Sequence, residues 1–233
     1  MRAGVHSMKD RRAIWHNLVI GLGLALMVAA LYMIFVYVPT EKATGAVQRI
    51  FYFHVPLAWV GFLAFFIVFI SSIMYLWKHS AKWDALARAS AEVGIVFTSL
   101  VLITGSIWAK SVWGIWWTWD ARLTGTLVLW FIYIAYLMVR GYAREESQGA
   151  RLGAVLGIVG FLNVPIVALA IALWRTQHPS ALIFEGGLAP SMLAALLVSL
   201  AAFTVLYVIM LFQATALKRM ESEIDDITNM QSD

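Results

Sequence analysis

The sequence predicts an all-α membrane protein of six transmembrane helices, on two observations. Hydrophobic residues make up 62% of the 233-residue chain and charged residues 13%, with a mean hydropathy of +0.81, far outside the balance of a soluble domain. Six apolar runs bounded by charges recur along the chain, each close to the roughly 20 residues needed to cross a hydrocarbon core of about 30 Å.

The first run covers 17–38. It is too long for a signal-peptide core and no small-x-small cleavage site follows it, so it reads as a retained helix. The others cover 57–77, 91–108, 123–139, 152–174 and 188–213. Nothing sizeable is left between them, which predicts a single polytopic membrane domain over 1–233. Its acidic tail, 220–233, is expected to be a solvated helix end or a disordered stub. In the fifth run, Gly153 and Gly157 have the GxxxG spacing that permits close helix contact, and Asn163 and Pro165 interrupt the apolar pattern. No GxxxxGK[ST] loop occurs, so ATP hydrolysis by that route is excluded.

Basic residues set the orientation. Arg2, Lys9, Arg11, Arg12, Lys78, Lys82, Arg88, Arg140, Arg144, Arg151, Lys218 and Arg219, twelve of the 17, fall on one side of such a topology. Lys42, Arg49, Lys110, Arg122 and Arg175 fall on the other. The positive-inside rule therefore places both termini in the cytoplasm and the segments 39–56, 109–122 and 175–187 outside. The net charge of +4 is read as topology, with membrane lipid and no nucleic acid as its partner.

The outward segments hold the residues that can carry chemistry. Trp108, Trp113, Trp116, Trp117 and Trp119 place five indoles within twelve residues. Trp113, Trp116 and Trp117 follow i, i+3, i+4 spacing, so a helical loop would present them as one aromatic face. An interfacial aromatic belt is the competing reading, but a belt distributes its anchors around the protein. Concentration in one loop argues for a flat aromatic ligand. His6, His16 and His79 lie in basic segments and read as solvated, whereas His54 and His178 come from two outward loops on the side of the tryptophans. His54 precedes Pro56, suited to the first turn of the second span, and Pro179 follows His178 where the fifth span has stopped.

An iron porphyrin accounts for these features together. Its macrocycle packs on indoles, its axial positions accept neutral imidazoles, and its propionates need cations. Arg49, Arg122 and Arg175 supply one guanidinium per outward segment, although lipid headgroups could equally occupy them. Asp120 could orient an indole or an arginine, or cap the fourth span. The chain has no Cys, which excludes thiolate ligation and a thioether-bound haem, so any metal must be held by His, Met or carboxylate; the cofactor expected is haem b, held non-covalently.

The run Trp113-Gly-Ile-Trp-Trp-Thr-Trp-Asp120-Ala-Arg122-Leu-Thr124 resembles the WWD motif of haem-handling membrane proteins. Arg49-Ile-Phe-Tyr-Phe-His54-Val-Pro56 and Trp174-Arg175-Thr-Gln-His178-Pro, with six spans and this length, narrow the resemblance to the CcmC family of system I cytochrome c maturation. It extends from about Trp15 to the sixth span. The resemblance implies a bacterial inner-membrane protein holding haem at the periplasmic face, with His54 and His178 as axial ligands against the Trp loop. It also implies delivery to the haem chaperone CcmE, in a complex with CcmD and the ABC-type pair CcmA and CcmB. The chain then reads as a haem-transfer protein without catalytic residues, not an enzyme.

Two rival classes make different demands. A membrane haem-containing quinone oxidoreductase places His pairs within its spans, and here the predicted spans contain none. A transporter moving haem through its own spans needs polar groups or broken helices at mid-membrane, for which Glu92 and the Asn163–Pro165 interruption are the candidates.

Overall fold

The computed structural model describes residues 2–143, 145–174, 178 and 187–232. Arg144 and Arg175 fall outside the described residues, as do the side chains before Ile14, His6 among them. The helices are α1 (Arg2–Tyr32), α2 (Phe51–Lys78), α3 (Ala81–Trp113), α4 (Ala121–Tyr142), α5 (Glu146–Phe161), α6 (Asn163–Leu173) and α7 (Pro190–Ser232). A π-helical turn, Met33–Tyr37, extends α1, and a 3-10 turn, Ala46–Ile50, leads into α2. Among the described residues, six helical segments are long and apolar enough to cross a membrane, with α5 and α6 together forming the fifth.

Several helices outrun the apolar segments that predict them. At about 1.5 Å per residue, the 33 residues of α3 span roughly 50 Å, well beyond a hydrocarbon core. Its added N-terminal turns, Ala81-Lys-Trp-Asp-Ala-Leu-Ala-Arg-Ala-Ser, are alanine-rich; hydropathy undervalues them, but their helix propensity is high. The tail at 220–233 likewise continues α7 through Ser232, so it is a helix end rather than a stub. The second span begins at Phe51 rather than 57, which brings His54 inside its first turn. This corrects the expectation that no histidine lies within a span.

Helices α2 and α3 form the central antiparallel pair. A Cβ added to Gly94 would lie 2.8 Å from Phe65 Cε1, one on Gly61 would lie 3.1 Å from Thr98 Oγ1, and one on Gly105 would lie 3.0 Å from His54 Cε1. Positions 54, 61 and 65 thus meet 105, 98 and 94 in reverse order, and the small residues let the two backbones approach closely. On one flank Phe65, Val68, Ala91 and Ile95 pack against Leu129, Tyr133 and Tyr136 of α4 and Val164 of α6. On the other, Val60, Ala64, Val93 and Phe97 meet Phe203 and Tyr207 of α7. Ser90 ties three helices: its hydroxyl donates to the Ala64 carbonyl at 2.8 Å, and so accepts from the Tyr207 hydroxyl, also at 2.8 Å.

The interrupted fifth span has a packing explanation. Helix α5 ends at Phe161, and Pro165 falls in the first turn of α6, where its missing N–H costs no helical hydrogen bond. Asn163 Nδ2 donates to the Gly125 carbonyl at 2.8 Å, which pins the break to α4. The GxxxG pair is used as its spacing suggests: Cβ atoms on Gly157 and Gly153 would lie 2.8 Å from Ser72 Oγ and 3.1 Å from Arg140 Cγ.

Charges join the helices at the end where α2 hands over to α3 and α4 to α5. Arg140 makes a bidentate pair with Asp84, at 2.5 and 2.6 Å, with the two side chains 6% and 13% exposed. Lys218 pairs with Glu92 at 3.0 Å and with Glu221 at 3.2 Å, while Arg88 reaches Glu92 at 3.6 Å. Glu92 is thereby engaged in helix pairing. Removing one partner of a buried pair leaves an uncompensated charge, costing about 3–5 kcal/mol. Asp84→Ala is expected to lower thermal stability in detergent by that order, and Asp84→Ala with Arg140→Leu should recover most of the loss, read by the loss of helical circular dichroism on heating.

Candidate functional site

At the opposite end, α2 and α3 hold His54. The 3-10 turn before α2 is pinned by Gln48 Nε2, which donates to the buried Tyr52 hydroxyl at 2.9 Å. Pro56 lies inside α2 rather than at its start. The His54 ring lies over Gly105, and its Nδ1 is 2.9 Å from Thr104 Oγ1. The His178 ring stands beside it, with centroids 6.4 Å apart and ring planes at 34°. The two histidines, one in α2 and one beyond α6, 124 positions apart in the chain, are therefore neighbours.

That spacing has a chemical meaning. Two imidazoles on opposite faces of one metal put their centroids roughly 6 Å apart, since each metal–nitrogen bond is about 2 Å and the ring centre lies about 1 Å beyond it. Among the described residues no group of three or more His, Cys, Asp or Glu could hold a metal ion. A porphyrin brings equatorial nitrogens of its own, so an iron it carries would ask the protein only for the two imidazoles.

One turn beyond Thr104 on α3 stands Trp108, packed edge-on against Trp113 with centroids 5.2 Å apart and ring planes at 87°. The helix stops there. Gly114 takes a left-handed conformation (φ 77°), closes the end through its N–H to the Lys110 carbonyl at 3.1 Å, and receives the Lys110 ammonium on its own carbonyl at 2.9 Å. The expected helical face of Trp113, Trp116 and Trp117 is thus not formed, because the chain turns between the first and second of them. Trp117 instead packs edge-on against Trp119, with centroids 5.9 Å apart, and Lys110 Nζ sits 6.0 Å over the Trp116 ring. Trp116 and Trp119 are exposed at 59% and 77%. The Trp117 indole N–H and the Thr124 hydroxyl are buried without a hydrogen-bond partner among the described residues.

Asp120 is the N-cap of α4. Its carboxylate accepts from the backbone N–H groups of Arg122 and Leu123 at 2.9 and 3.1 Å and from the Thr118 hydroxyl at 2.8 Å. The capping alternative is therefore the one realised. Arg122 follows in the first turn of α4, within electrostatic range of His54. Arg49 stacks its guanidinium 5.7 Å over the Phe35 ring, an aromatic partner that sequence reasoning did not anticipate. His16 and His79 are exposed, as expected. Thr104 and Gly105 are not legible in the sequence: they lie in an apolar run, and only the folded α2–α3 contact gives them a role.

A family model described as Heme exporter protein C matches residues 5–230. The chain belongs to the CcmC family. It is 35% identical over 198 residues to a Heme exporter protein C of Bradyrhizobium diazoefficiens, covering 83% of this chain and 75% of that one. It is 34% identical over 174 residues to a Heme exporter protein C of Escherichia coli strain K12, covering 74% and 70%. A ccmC-like mitochondrial cytochrome c biosynthesis protein of Marchantia polymorpha is similar at 32% over 171 residues, covering 73% and 72%. The CcmC family membership extends through all six spans, so the paired histidines and the Trp loop lie within the matched region.

The Asp120 cap makes its own prediction. Asp120→Ala should destabilise the protein by about 1–2 kcal/mol, whereas Asp120→Asn, still an acceptor, should cost a few tenths. Equilibrium unfolding in mixed micelles separates the two, and an equal loss in both variants would assign the carboxylate's charge rather than its cap the leading part.

Proposed function

We propose that this chain binds haem b non-covalently at the periplasmic face of the bacterial inner membrane and passes it to the haem chaperone CcmE during maturation of c-type cytochromes. The observation that carries the reading is the juxtaposition of His54 and His178 at a spacing suited to one iron between them. Family membership supports haem handling in cytochrome c maturation. In this reading the chain works beside CcmD and the ABC-type pair CcmA and CcmB, which would use the ATP, and it is a transfer protein rather than an enzyme.

Each residue then has a part. His54 and His178 would hold the iron, Trp108 and the Trp113–Trp119 loop would supply apolar contact to the macrocycle, and Arg122 would offer a cation to a propionate. Trp117 N–H and Thr124, buried without partners among the described residues, are further donors for a polar edge. Arg49 and Arg175 remain candidates for the same purpose. Exposed Trp116 and Trp119 leave one side of the arrangement open to a partner, and handing haem on requires at least one histidine to give up its place.

Absorption spectra of detergent-purified protein supplied with haem, with a pyridine haemochrome assay, test this. The native chain is expected to carry haem, and His54→Ala and His178→Ala each to alter the Soret and α/β bands. A native chain that takes up no haem would sink the reading, while unchanged bands in both variants would remove the ligand assignment. Orientation is tested separately: a reporter fused after Asp233 should be cytoplasmic, and a periplasmic signal would reverse every loop.

A further inference from the structure

Resting on the haem reading above, the hydrogen bonds around His54 identify which of its nitrogens faces the iron and what makes it do so. Thr104 Oγ1 lies 2.7 Å from the Leu100 carbonyl and 3.3 Å from that of Val101. A carbonyl can only accept, so the single hydroxyl hydrogen of Thr104 is committed to its own helix. The same oxygen lies 2.9 Å from His54 Nδ1. With its hydrogen already placed, it can only accept there, and Nδ1 must be the donor. A neutral imidazole has one N–H, which leaves Nε2 bare.

We propose that Thr104 is the positioning residue for the haem site, holding His54 as its Nδ1–H tautomer so that Nε2 presents its lone pair to the iron. Gly105 completes the seat. A side chain there would begin 3.0 Å from His54 Cε1 and the ring would have to give by a few tenths of an ångström; glycine lets it lie against α3 at the height where Thr104 reaches it. A hydrogen bond accepted from the distal N–H also makes the opposite nitrogen a stronger donor, and losing such an outer partner typically weakens metal affinity about 10–100-fold. Valine in place of threonine keeps the shape of the side chain and removes the acceptor.

The test uses the full chain in lipid bilayers with nitrogen-15-labelled histidine, the His54 signals being assigned by difference against His54→Gln. Solid-state NMR of the haem-free protein is expected to show His54 protonated on Nδ1. Thr104→Val should lose that preference and bind haem about 10–100-fold more weakly in a titration, and Thr104→Ser should restore both. Native His54 protonated on Nε2, or a valine variant with native tautomer and native affinity, overturns the proposal. So does a serine variant as impaired as the valine variant, since that would make the effect one of packing. If the native chain binds no haem, the haem reading fails on its own, and the tautomer in the native and valine proteins still decides whether Thr104 sets it.

Discussion

The close antiparallel contact of α2 with α3 is the constraint on which the rest of this molecule depends. In lipid there is little hydrophobic force between helices, so association relies on packing, and packing rewards backbones that approach through small residues. Gly61, Gly94 and Gly105 provide that approach, each with a neighbour so near that an added methyl would meet it. The register that results sets His54 against Thr104 and Gly105. It also presents the two outer flanks on which α4 and α6 pack on one side and α7 on the other. A side chain at any of the three glycines would crowd the facing side chain, which at Gly105 is the His54 ring itself.

The two ends of the bundle are built from different chemistry. At one end, charged side chains are matched and largely shielded, as in Asp84 with Arg140 and Lys218 with Glu92, so their energy goes into joining helices. At the other end, large indoles stand in the open. Buried polar groups with no hydrogen-bond partner among the described residues occur at both ends, Trp83 Nε1 and Thr215 Oγ1 at the charged end and Trp117 Nε1 and Thr124 Oγ1 at this one, each at a cost of about 1–3 kcal/mol. Unsatisfied polar groups and uncovered aromatic area cost stability in isolation. A ligand with a flat apolar body and a polar edge would relieve both.

Much of the architecture was legible from the chain alone, because a bilayer imposes a simple test on sequence. Every backbone polar group must be satisfied within the lipid, so length and apolar content suffice to count six spans, and all six are found. Helix ends were less legible. The alanine-rich turns from Ala81 and the charged continuation of α7 are helical for reasons of propensity, which hydropathy does not register. The Trp loop was read as helical from a spacing that Gly114 interrupts, one left-handed residue outweighing a periodic pattern.

By itself the sequence singled out the candidates: two histidines, a cluster of indoles, three arginines and no cysteine. These follow from residue identity and the count of spans between them. Only the tertiary structure decided how they meet. It brought His54 and His178 to 6.4 Å, committed Asp120 to capping and Arg49 to Phe35, and gave Thr104 and Gly105 their places behind the His54 ring. The physical reason is range. Hydropathy and capping act within a helix or across a turn, whereas the partners of His54 lie some fifty residues away on another helix, where contact depends on how two packed surfaces interlock.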